Sequence, residues 1–459
     1  MRDEIFSRTS LIARPAAEVF AWHERSGAFE RLCPPWERIE VLSRTGGIRD
    51  GGRVTLRMKA GPAWIRWEVG HCDYVAGLQF RDVQLQGPFA RWEHLHRIDP
   101  AGADACTLTD EIHYRLRGGA AGIFFGRNFV RRKLAGLFAY RHAVTRLDLE
   151  ERSAGPPLCI AVTGTGGLVG RALVPFLQTQ GHTVRRLMRR KPAAEDGFFW
   201  NPGTGELAAP ALEGADAVVH LAGANLAEGR WTAARKAEIL RSRVEGTRTL
   251  VTALAKTSDR PRVLVSMSAT GFYGDRGDEV LEEGSSMGRG FLSDVCAAWE
   301  REAQAAGALG VRTVCLRAGV VLTPAGGALA RLLPVFRAGL GGRLGSGRQW
   351  MGWITIDDLL GVIGRALGDE RLRGPVNAVA PGAVRNDEFS RTLALVLHRP
   401  AWWPVPEPLL RVAFGEMARE ALLAGALVRP TRLAEAGHAF RWPELGGALR
   451  YMLGKTPGA

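Results

Sequence analysis

The stretch Cys159-Ile-Ala-Val-Thr-Gly164-Thr-Gly-Gly167-Leu-Val-Gly170-Arg-Ala-Leu173 determines the fold of the larger part of this chain. An apolar strand leads directly into a glycine-rich turn, and the turn opens a helix. In such a unit Gly164 permits the tight turn, Gly167 lets the backbone approach a pyrophosphate, and Gly170 lets the helix pack on the strand. The helix N-terminus also offers free N–H groups to phosphates. The stretch therefore predicts a dinucleotide site.

The arginine-rich end of the next strand indicates which dinucleotide binds. The segment Val184-Arg-Arg-Leu-Met-Arg-Arg190 contains no carboxylate for the ribose hydroxyls. A carboxylate would repel a 2′-phosphate, whereas a guanidinium group can bind it bidentately. We predict NADP(H), with Arg189 as the leading contact and Arg190 as the second; the alternative is that both are ordinary surface arginines. The predicted contacts in the glycine loop are Thr163, Gly164, Gly166, Gly167, Leu168, Val169 and Gly170.

Length and composition restrict the class of protein. The chain has 459 residues, of which 46% are hydrophobic and 24% charged, so we expect two or three globular domains. It contains no apolar run of the ~18 residues that a membrane span needs, so we expect no membrane span, and its first residues do not predict a signal peptide. Six cysteines without a CxxC pair argue against a disulfide scaffold, a zinc ribbon and a thioredoxin-type motif, and favour a reducing cytoplasm.

The net charge of +14 raises the question of a nucleic-acid partner. Nearly all of the basic residues are arginines, and they are dispersed along the chain rather than concentrated in one segment. Nucleic-acid binders usually concentrate their charge on one face and interleave it with aromatic residues. A compositional bias towards arginine explains the charge equally well, so a nucleic-acid partner is not our prediction.

A charged and proline-ended segment at 150–157 separates two patterns. Before it, period-2 alternation predicts six strands and then a helix from about 124 to 149, an α+β domain over residues 1–150. After it, short apolar strands alternate with helices, which predicts an α/β, Rossmann-type, doubly wound parallel sheet. The predicted strands are 6–13, 53–58, 63–69, 78–86, 91–98 and 106–114 in the first block, and 158–163, 183–188, 217–221, 263–268 and 311–316 in the second.

Three further motifs in the second block carry a resemblance to a known superfamily. His220-Leu-Ala-Gly-Ala224 follows the fourth strand, Ser266-Met-Ser268 ends the fifth, and Trp353-Ile-Thr-Ile-Asp357 heads a late helix. With the glycine loop, they resemble the extended short-chain dehydrogenase/reductase superfamily. The resemblance implies that Ser268 lies where the catalytic serine or threonine does, and that the cofactor's adenosine and ribose are lined by Leu221, Ala222 and Gly223.

More narrowly, residues 157 to 449 are similar to the atypical epimerase family proteins, which have an extra C-terminal module. The motifs that carry this similarity include Arg230-Trp-Thr232, Gly345-Ser-Gly-Arg-Gln-Trp350 and Asn377-Ala-Val-Ala-Pro381. The resemblance implies an NADP-binding epimerase or reductase domain over 157–400 and a helical module over 401–455.

The chain departs from the superfamily at the catalytic pair. Typical members carry Tyr-x-x-x-Lys on the helix after the serine strand, where the lysine lowers the pKa of the tyrosine. Here that helix reads Gly290-Phe-Leu-Ser-Asp-Val-Cys-Ala-Ala-Trp-Glu300, with neither residue. Ser268 remains as a candidate hydrogen-bond donor to a substrate oxygen, and Tyr273 is interpreted as structural. Lys236 and Arg243 on the preceding helix are interpreted as a solvated basic face.

The first block resembles the helix-grip superfamily of START-like and polyketide-cyclase-like proteins, on its order of elements and the strand with Trp92, His94 and His96. The resemblance implies an apolar ligand between sheet and helix. The two histidines face one side of a strand, but the sequence supplies no further ligands, so a polar pair is favoured over zinc and no metal site is predicted. Asp110 and Glu111 point to opposite faces and are interpreted as structural.

Two functions remain open at this point. The first is an NADP(H)-dependent oxidoreductase or epimerase that acts on a small carbonyl, hydroxyl or nucleotide-sugar-like substrate. The second is a sensor or ligand-binding fusion that binds NADP(H) without turnover. Steady-state turnover separates the two.

Overall fold

The computed structural model describes residues 3–151, 155–190 and 197–455, and these form two compact units. One unit consists mainly of the residues up to 151, and the other mainly of residues 155–449. The predicted linker at 150–157 falls partly on residues 152–154, which lie outside the described residues.

The first unit is an antiparallel sheet with a long C-terminal helix. Its helices are α1 (Ala16–Glu24), α2 (Ala28–Leu32) and α3 (Gly119–Glu150). Its strands are β1 (Glu4–Ile12), β2 (Ile39–Thr45), β3 (Arg53–Ala60), β4 (Ala63–Val75), β5 (Gln79–Gln86), β6 (Arg91–Pro100) and β7 (Cys106–Arg115). They pair in the order β1-β7-β6-β5-β4-β3-β2, which confirms the predicted α+β class.

Alternation along the strands of the first unit decides which side chains face α3. On β6, Trp92, His94, His96 and Ile98 are buried and their neighbours are more exposed, as predicted. Trp92 packs in one cluster with Leu134 and Phe138 of α3. The strand β2 is not predicted from the sequence, because it is an almost wholly exposed edge strand whose apolar residues show no alternation.

The second unit is built on a parallel sheet whose strands are joined by helices. Its strands are β8 (Cys159–Thr163), β9 (Thr183–Met188), β10 (Gly197–Asn201), β11 (Glu206–Leu207), β12 (Ala217–His220), β13 (Val263–Ala269), β14 (Val280–Leu281), β15 (Arg312–Ala318), β16 (Val320–Leu322), β17 (Trp350–Met351), β18 (Trp353–Thr355), β19 (Gly374–Ala378), β20 (Val384–Arg385) and β21 (Leu427–Val428). Its helices are α4 (Leu168–Thr179), α5 (Ala233–Lys256), α6 (Phe291–Gln304), α7 (Gly327–Arg337), α8 (Ile356–Gly368), α9 (Asn386–Leu397), α10 (Glu407–Phe414), α11 (Thr431–Glu435) and α12 (Leu445–Met452).

The main sheet has the order β11-β10-β9-β8-β12-β13-β15-β19, and all its pairs are parallel except that of the short edge strand β11. The chain moves outward from β8 to one side and then returns to β12 on the other, so the predicted doubly wound fold is confirmed. Both faces are covered, since Ile160 and Val162 pack with α4 and α8, while Ala161 packs with α5.

The main sheet has more strands than the sequence predicts. The unpredicted β19 reads Gly-Pro-Val-Asn-Ala, which is rich in residues that are depleted from strands. The C-terminal segment contains the helices α10, α11 and α12, and it also contributes β21, which pairs with β14. Among the described residues, no helix combines the length and apolar character that crossing a membrane requires.

Candidate dinucleotide site

The glycine loop links β8 to α4 at the carboxyl edge of the sheet, where β8 and β12 lead to opposite sides. Gly164 has a φ of +69°, and a Cβ added there would lie 2.9 Å from the backbone nitrogen of Ala222. A Cβ on Gly170 would lie 2.3 Å from the carbonyl oxygen of Gly164. The fold itself therefore requires glycine at both positions.

Gly166 and Gly167 form the exposed part of the loop. Gly167 donates its N–H to the carbonyl oxygen of Gly164 at 2.9 Å, which closes the turn. A Cβ on Gly166 would meet no atom within 4 Å, so the protein itself does not require glycine there. The open backbone at Gly166 is the feature that a bound pyrophosphate would use.

Thr163 joins the two loops at this edge. Its hydroxyl oxygen accepts hydrogen bonds from the N–H groups of Leu221 and Ala222, at 3.1 and 3.3 Å. It also lies 2.8 Å from Nδ1 of His220, whose Nε2 lies 3.1 Å from the hydroxyl of Thr247. Thr163 is fully buried, and its hydroxyl positions the backbone of the predicted contact segment Leu221–Ala222.

His220, which connects the two loops, makes the free energy of unfolding depend on pH. Burial, together with the charge of Arg243, lowers the pKa of His220 to about 4, below the ~6.5 of an unfolded chain. Between these values only the unfolded state is protonated, so this contribution to stability is complete above pH ~6.5 and is lost as the pH falls towards 4. We expect His220→Gln, which keeps an acceptor and a donor, to reduce the loss of unfolding free energy between pH 7.5 and 4.5 by an amount on the order of 3 kcal/mol. Urea unfolding of both proteins at the two pH values measures this, and equal losses would contradict it.

Arg189 and Arg190 directly follow β9, the neighbour of β8 in the sheet. Both side chains are exposed, and neither has a hydrogen bond or ion pair with another described residue. Parallel strands end at the same edge, so the two arginines lie on the side of the sheet that carries the glycine loop. Their guanidinium groups are free to bind an anion there.

Ser268, the catalytic candidate, lies near the carboxyl end of β13 and is buried. Its hydroxyl donates to Oε1 of Glu300 at 2.7 Å. Glu300 in turn accepts two hydrogen bonds from Arg317, from Nε and Nη2, both at 2.8 Å. The hydroxyl proton of Ser268 is therefore engaged within the protein.

The same network includes Tyr273. The phenol donates to Oδ1 of Asn377 at 2.7 Å and accepts from Nη1 of Arg317 at 2.9 Å. Burial raises the pKa of Tyr273 above its ordinary value, against the opposing effect of Arg317. A phenol with this pKa and these partners holds the fold, in agreement with its interpretation as structural. The sequence offered no signal that Glu300, Arg317 and Asn377 belong to this network, since they come from three separate elements.

The expectation of a solvated basic face on α5 is wrong. Arg243 is buried: its guanidinium lies against Gly223 and over the ring of Trp299, 5.0 Å from the ring centroid. Nη1 donates to the carbonyl oxygen of Ala224 at 3.1 Å, so Arg243 supports the segment after β12. Lys236 forms an ion pair with Glu416 of the C-terminal module at 2.9 Å.

The C-terminal module also holds the helix that lacks the tyrosine and lysine. The carboxylate of Glu420 accepts hydrogen bonds from the N–H groups of Phe291 and Leu292, at 3.1 and 3.0 Å, and so caps α6. On that helix Cys296 is buried, and burial raises the pKa of its thiol to about 11. Cys296 is therefore a neutral thiol at neutral pH.

In the first unit the structure adds a third group beside His94 and His96, Asp82 of β5, for which the sequence offered no signal. Oδ2 of Asp82 lies 3.1 Å from Nδ1 of His94 and 3.2 Å from Nε2 of His96. Asp110 bonds the other nitrogen of each ring, at 2.7 and 2.8 Å, while Glu111 faces the opposite side. Burial lowers the pKa of His94, but the two carboxylates outweigh it and raise the value to about 9.

Three family models match the chain. Residues 160–377 match the NAD dependent epimerase/dehydratase family, residues 405–452 match a domain of unknown function (DUF1731), and residues 12–135 match polyketide cyclase/dehydrase and lipid transport proteins. An epimerase family protein of Mycobacterium bovis is 42% identical over 292 residues, which cover 64% of this chain and 96% of the relative. The chain belongs to the epimerase family. The resemblances of both blocks are thus confirmed.

Other relatives of this epimerase-family chain include solved structures. A nucleoside-diphosphate sugar epimerase from Corynebacterium glutamicum is 32% identical with a TM-score of 0.79, over 98% of this chain and 90% of that one. The human epimerase family protein SDR39U1 (isoform 2), solved with NADPH, is 33% identical with a TM-score of 0.59, over 64% of this chain and 99% of that one. The similarity to the bacterial structure extends over both units.

Proposed function

We propose that this epimerase-family chain binds NADP(H) at the glycine loop and transfers hydride to or from an unidentified small substrate, as an oxidoreductase or epimerase acting on a carbonyl, hydroxyl or nucleotide-sugar-like compound. The observation that carries the proposal is the exposed backbone at Gly166 and Gly167, at the point where β8 and β12 diverge. The human relative solved with NADPH supports the choice of cofactor.

The residues at this edge fit a dinucleotide phosphate. The N–H groups at the start of α4 would hold the pyrophosphate, and Arg189 and Arg190 would hold the 2′-phosphate. The segment Leu221–Ala222–Gly223, supported by Thr163 and Arg243, would line the adenosine side, with Leu168 and Val169 at the start of α4. NADP(H), when bound, supplies the hydride donor or acceptor.

The selectivity for NADPH tests the arginine assignment. We expect Arg189→Ala to weaken NADPH binding by about 10- to 100-fold, because charge-assisted hydrogen bonds contribute ~1.5–3 kcal/mol, and to leave NADH binding unchanged. Calorimetric titration of each dinucleotide measures this, and Arg190→Ala, at the second proposed contact, should weaken NADPH binding by less. A similar loss for both dinucleotides, or no loss, contradicts the assignment.

Ser268 is the proposed hydrogen-bond donor to the substrate oxygen, and to donate there it must leave its bond to Glu300. Under this proposal Ser268→Ala lowers turnover and preserves NADPH affinity. Full turnover in Ser268→Ala would assign the hydroxyl to the buried network alone.

A second function, an NADP(H)-binding sensor without turnover, is favoured by one specific observation. The hydroxyls of Ser268 and Tyr273 are both engaged within the protein, and α6 carries neither tyrosine nor lysine. A sensor binds NADPH tightly and oxidises it with no member of a panel of aldehydes, ketones and nucleotide sugars. Substrate-dependent oxidation of NADPH excludes the sensor.

For the first unit we propose a small apolar ligand between the sheet and α3. The support is the aromatic interior that includes Trp92, Tyr114 and Phe138, and the match to polyketide cyclase and lipid transport proteins.

A further inference from the structure

We propose that the first unit holds one divalent transition-metal ion, bound by Oδ2 of Asp82, Nδ1 of His94 and Nε2 of His96. This site is separate from the dinucleotide site and does not depend on the function proposed above. It lies within one sheet, so its geometry is set by strand pairing inside a single unit.

The register of two neighbouring strands brings the ligands together. Asp82 of β5 is paired directly with His94 of β6, and His96 follows two residues later on the same face. Directly opposed residues have Cβ atoms about 4.5–5.5 Å apart, and residues i and i+2 share a face. The three side chains therefore converge from two strands without any loop, which gives a rigid set of ligands.

The distances between the ligand atoms suit a metal ion. Oδ2 of Asp82 lies 3.1 Å from Nδ1 of His94 and 3.2 Å from Nε2 of His96, and the three atoms all lie within 4.8 Å of one another. Bonds of about 2.0–2.2 Å to zinc place tetrahedral ligand atoms roughly 3.3–3.5 Å apart. Only small adjustments would admit the ion.

Asp110 determines which nitrogen of each ring is free. It bonds Nε2 of His94 at 2.7 Å and Nδ1 of His96 at 2.8 Å, so it holds an N–H on each of these atoms. In the metal-bound state the opposite nitrogens, which face Asp82, would carry the lone pairs that bind the ion. A carboxylate that orients metal-binding histidines in this way is the usual outer shell of a zinc site.

The remaining contacts hold this arrangement in place. Oδ1 of Asp82 accepts a hydrogen bond from Nε1 of Trp92 at 3.2 Å, which leaves Oδ2 for the ion. Oδ2 of Asp110 bonds Nε2 of His142 at 2.7 Å. The ring of Phe80 stacks on His96 with centroids 4.1 Å apart.

A bound ion would replace ring protons in these contacts. Each ring faces a carboxylate at both nitrogens, Asp82 on one side and Asp110 on the other. Without an ion, the contacts to Asp82 are hydrogen bonds that need a proton on the ring nitrogen. A divalent ion between Asp82 and the rings would take the place of these protons, and three protein ligands leave it an open position.

His71 provides a second, independent indication of a ligand. It lies on β4, paired directly with Asp82, on the side away from β6. Its Nδ1 atom is buried and has no hydrogen-bond partner among the described residues. A buried ring nitrogen without a protein partner is a candidate contact for a water molecule or an ion.

The test uses the full chain, stripped of metal by a chelator and titrated with Zn²⁺ and, in parallel, with Co²⁺ followed by its visible spectrum. We expect one ion per chain, with a Co²⁺ spectrum typical of nitrogen and oxygen ligands. His94→Gln and Asp82→Asn should abolish this binding, and Asp110→Asn should weaken it by about 10- to 100-fold.

The matched control is His113→Gln. His113 lies on β7 of the same sheet, and its ring is 2.7 Å from the carboxylate of Glu111. Among the residues that the structure describes, no third potential metal ligand joins this pair. This variant should bind Zn²⁺ like the parent. Circular dichroism and NADPH titration of each variant identify any that fail to fold. A folded parent that binds neither ion, or folded Asp82 and His94 variants that bind normally, would overturn the proposal.

Discussion

Glu300→Gln is expected to lower the free energy of unfolding of the second unit by about 3–5 kcal/mol. The carboxylate accepts three hydrogen bonds, one from Ser268 and two from Arg317, and both charged partners are about 95% buried. The amide would keep the shape but leave the guanidinium of Arg317 buried without a counter-charge. Breaking a buried pair in this way costs more than the pair contributes, because the remaining charge cannot be solvated.

The control for this prediction lies on the same helix. Glu302 forms an ion pair with Arg248 on the surface, where that arginine is more than half exposed, so Glu302→Gln should change stability by less than ~1 kcal/mol. Hydrogen exchange of peptides from β13 and α6 measures the opening free energy of this unit alone. Equal effects of the two substitutions would contradict the buried-pair argument.

Gly170→Ala is expected to weaken NADPH binding by about 100-fold or more. The added Cβ would lie 2.3 Å from the carbonyl oxygen of Gly164 and 2.7 Å from Cα of Thr165, and backbone atoms cannot move aside as a flexible side chain can. The loop would have to shift, and each lost hydrogen bond to a charged phosphate costs ~1.5–3 kcal/mol. A 100-fold change in affinity corresponds to about 2.8 kcal/mol, so the loss of two such hydrogen bonds is enough to produce it.

Gly166→Ala distinguishes an effect on the stability of the loop from an effect on its contact with the dinucleotide. Its Cβ meets no protein atom within 4 Å, so the unfolding free energy should stay within ~0.5 kcal/mol of the parent. A loss of NADPH affinity in this variant would then show that the added methyl group obstructs the dinucleotide. Calorimetric titration measures both variants, and normal NADPH binding by Gly170→Ala would contradict the proposed site.

Much of the architecture follows from local patterns. The glycine spacing from Gly164 to Gly170 predicts the turn because two of these positions exclude any Cβ. Alternation predicts the buried face of β6, since side chains on a strand point to opposite sides with a period of two. The edge strand β2 and the strand β19 were missed because neither has the apolar alternation or composition on which such predictions rely.

The partners of the buried polar groups were decided only by the tertiary structure. Glu300 and Arg317 lie on a helix and a strand, and Asp82 meets His94 because of the register between β5 and β6. Local sequence determined the central strands of the main sheet and the phosphate loop, because those depend on neighbours within a few residues. Which carboxylate lies beside which cation depends on pairing between distant segments, and burial then decides the pKa and the availability of each group. That is why Ser268 was predicted as an open donor and is found bonded to Glu300.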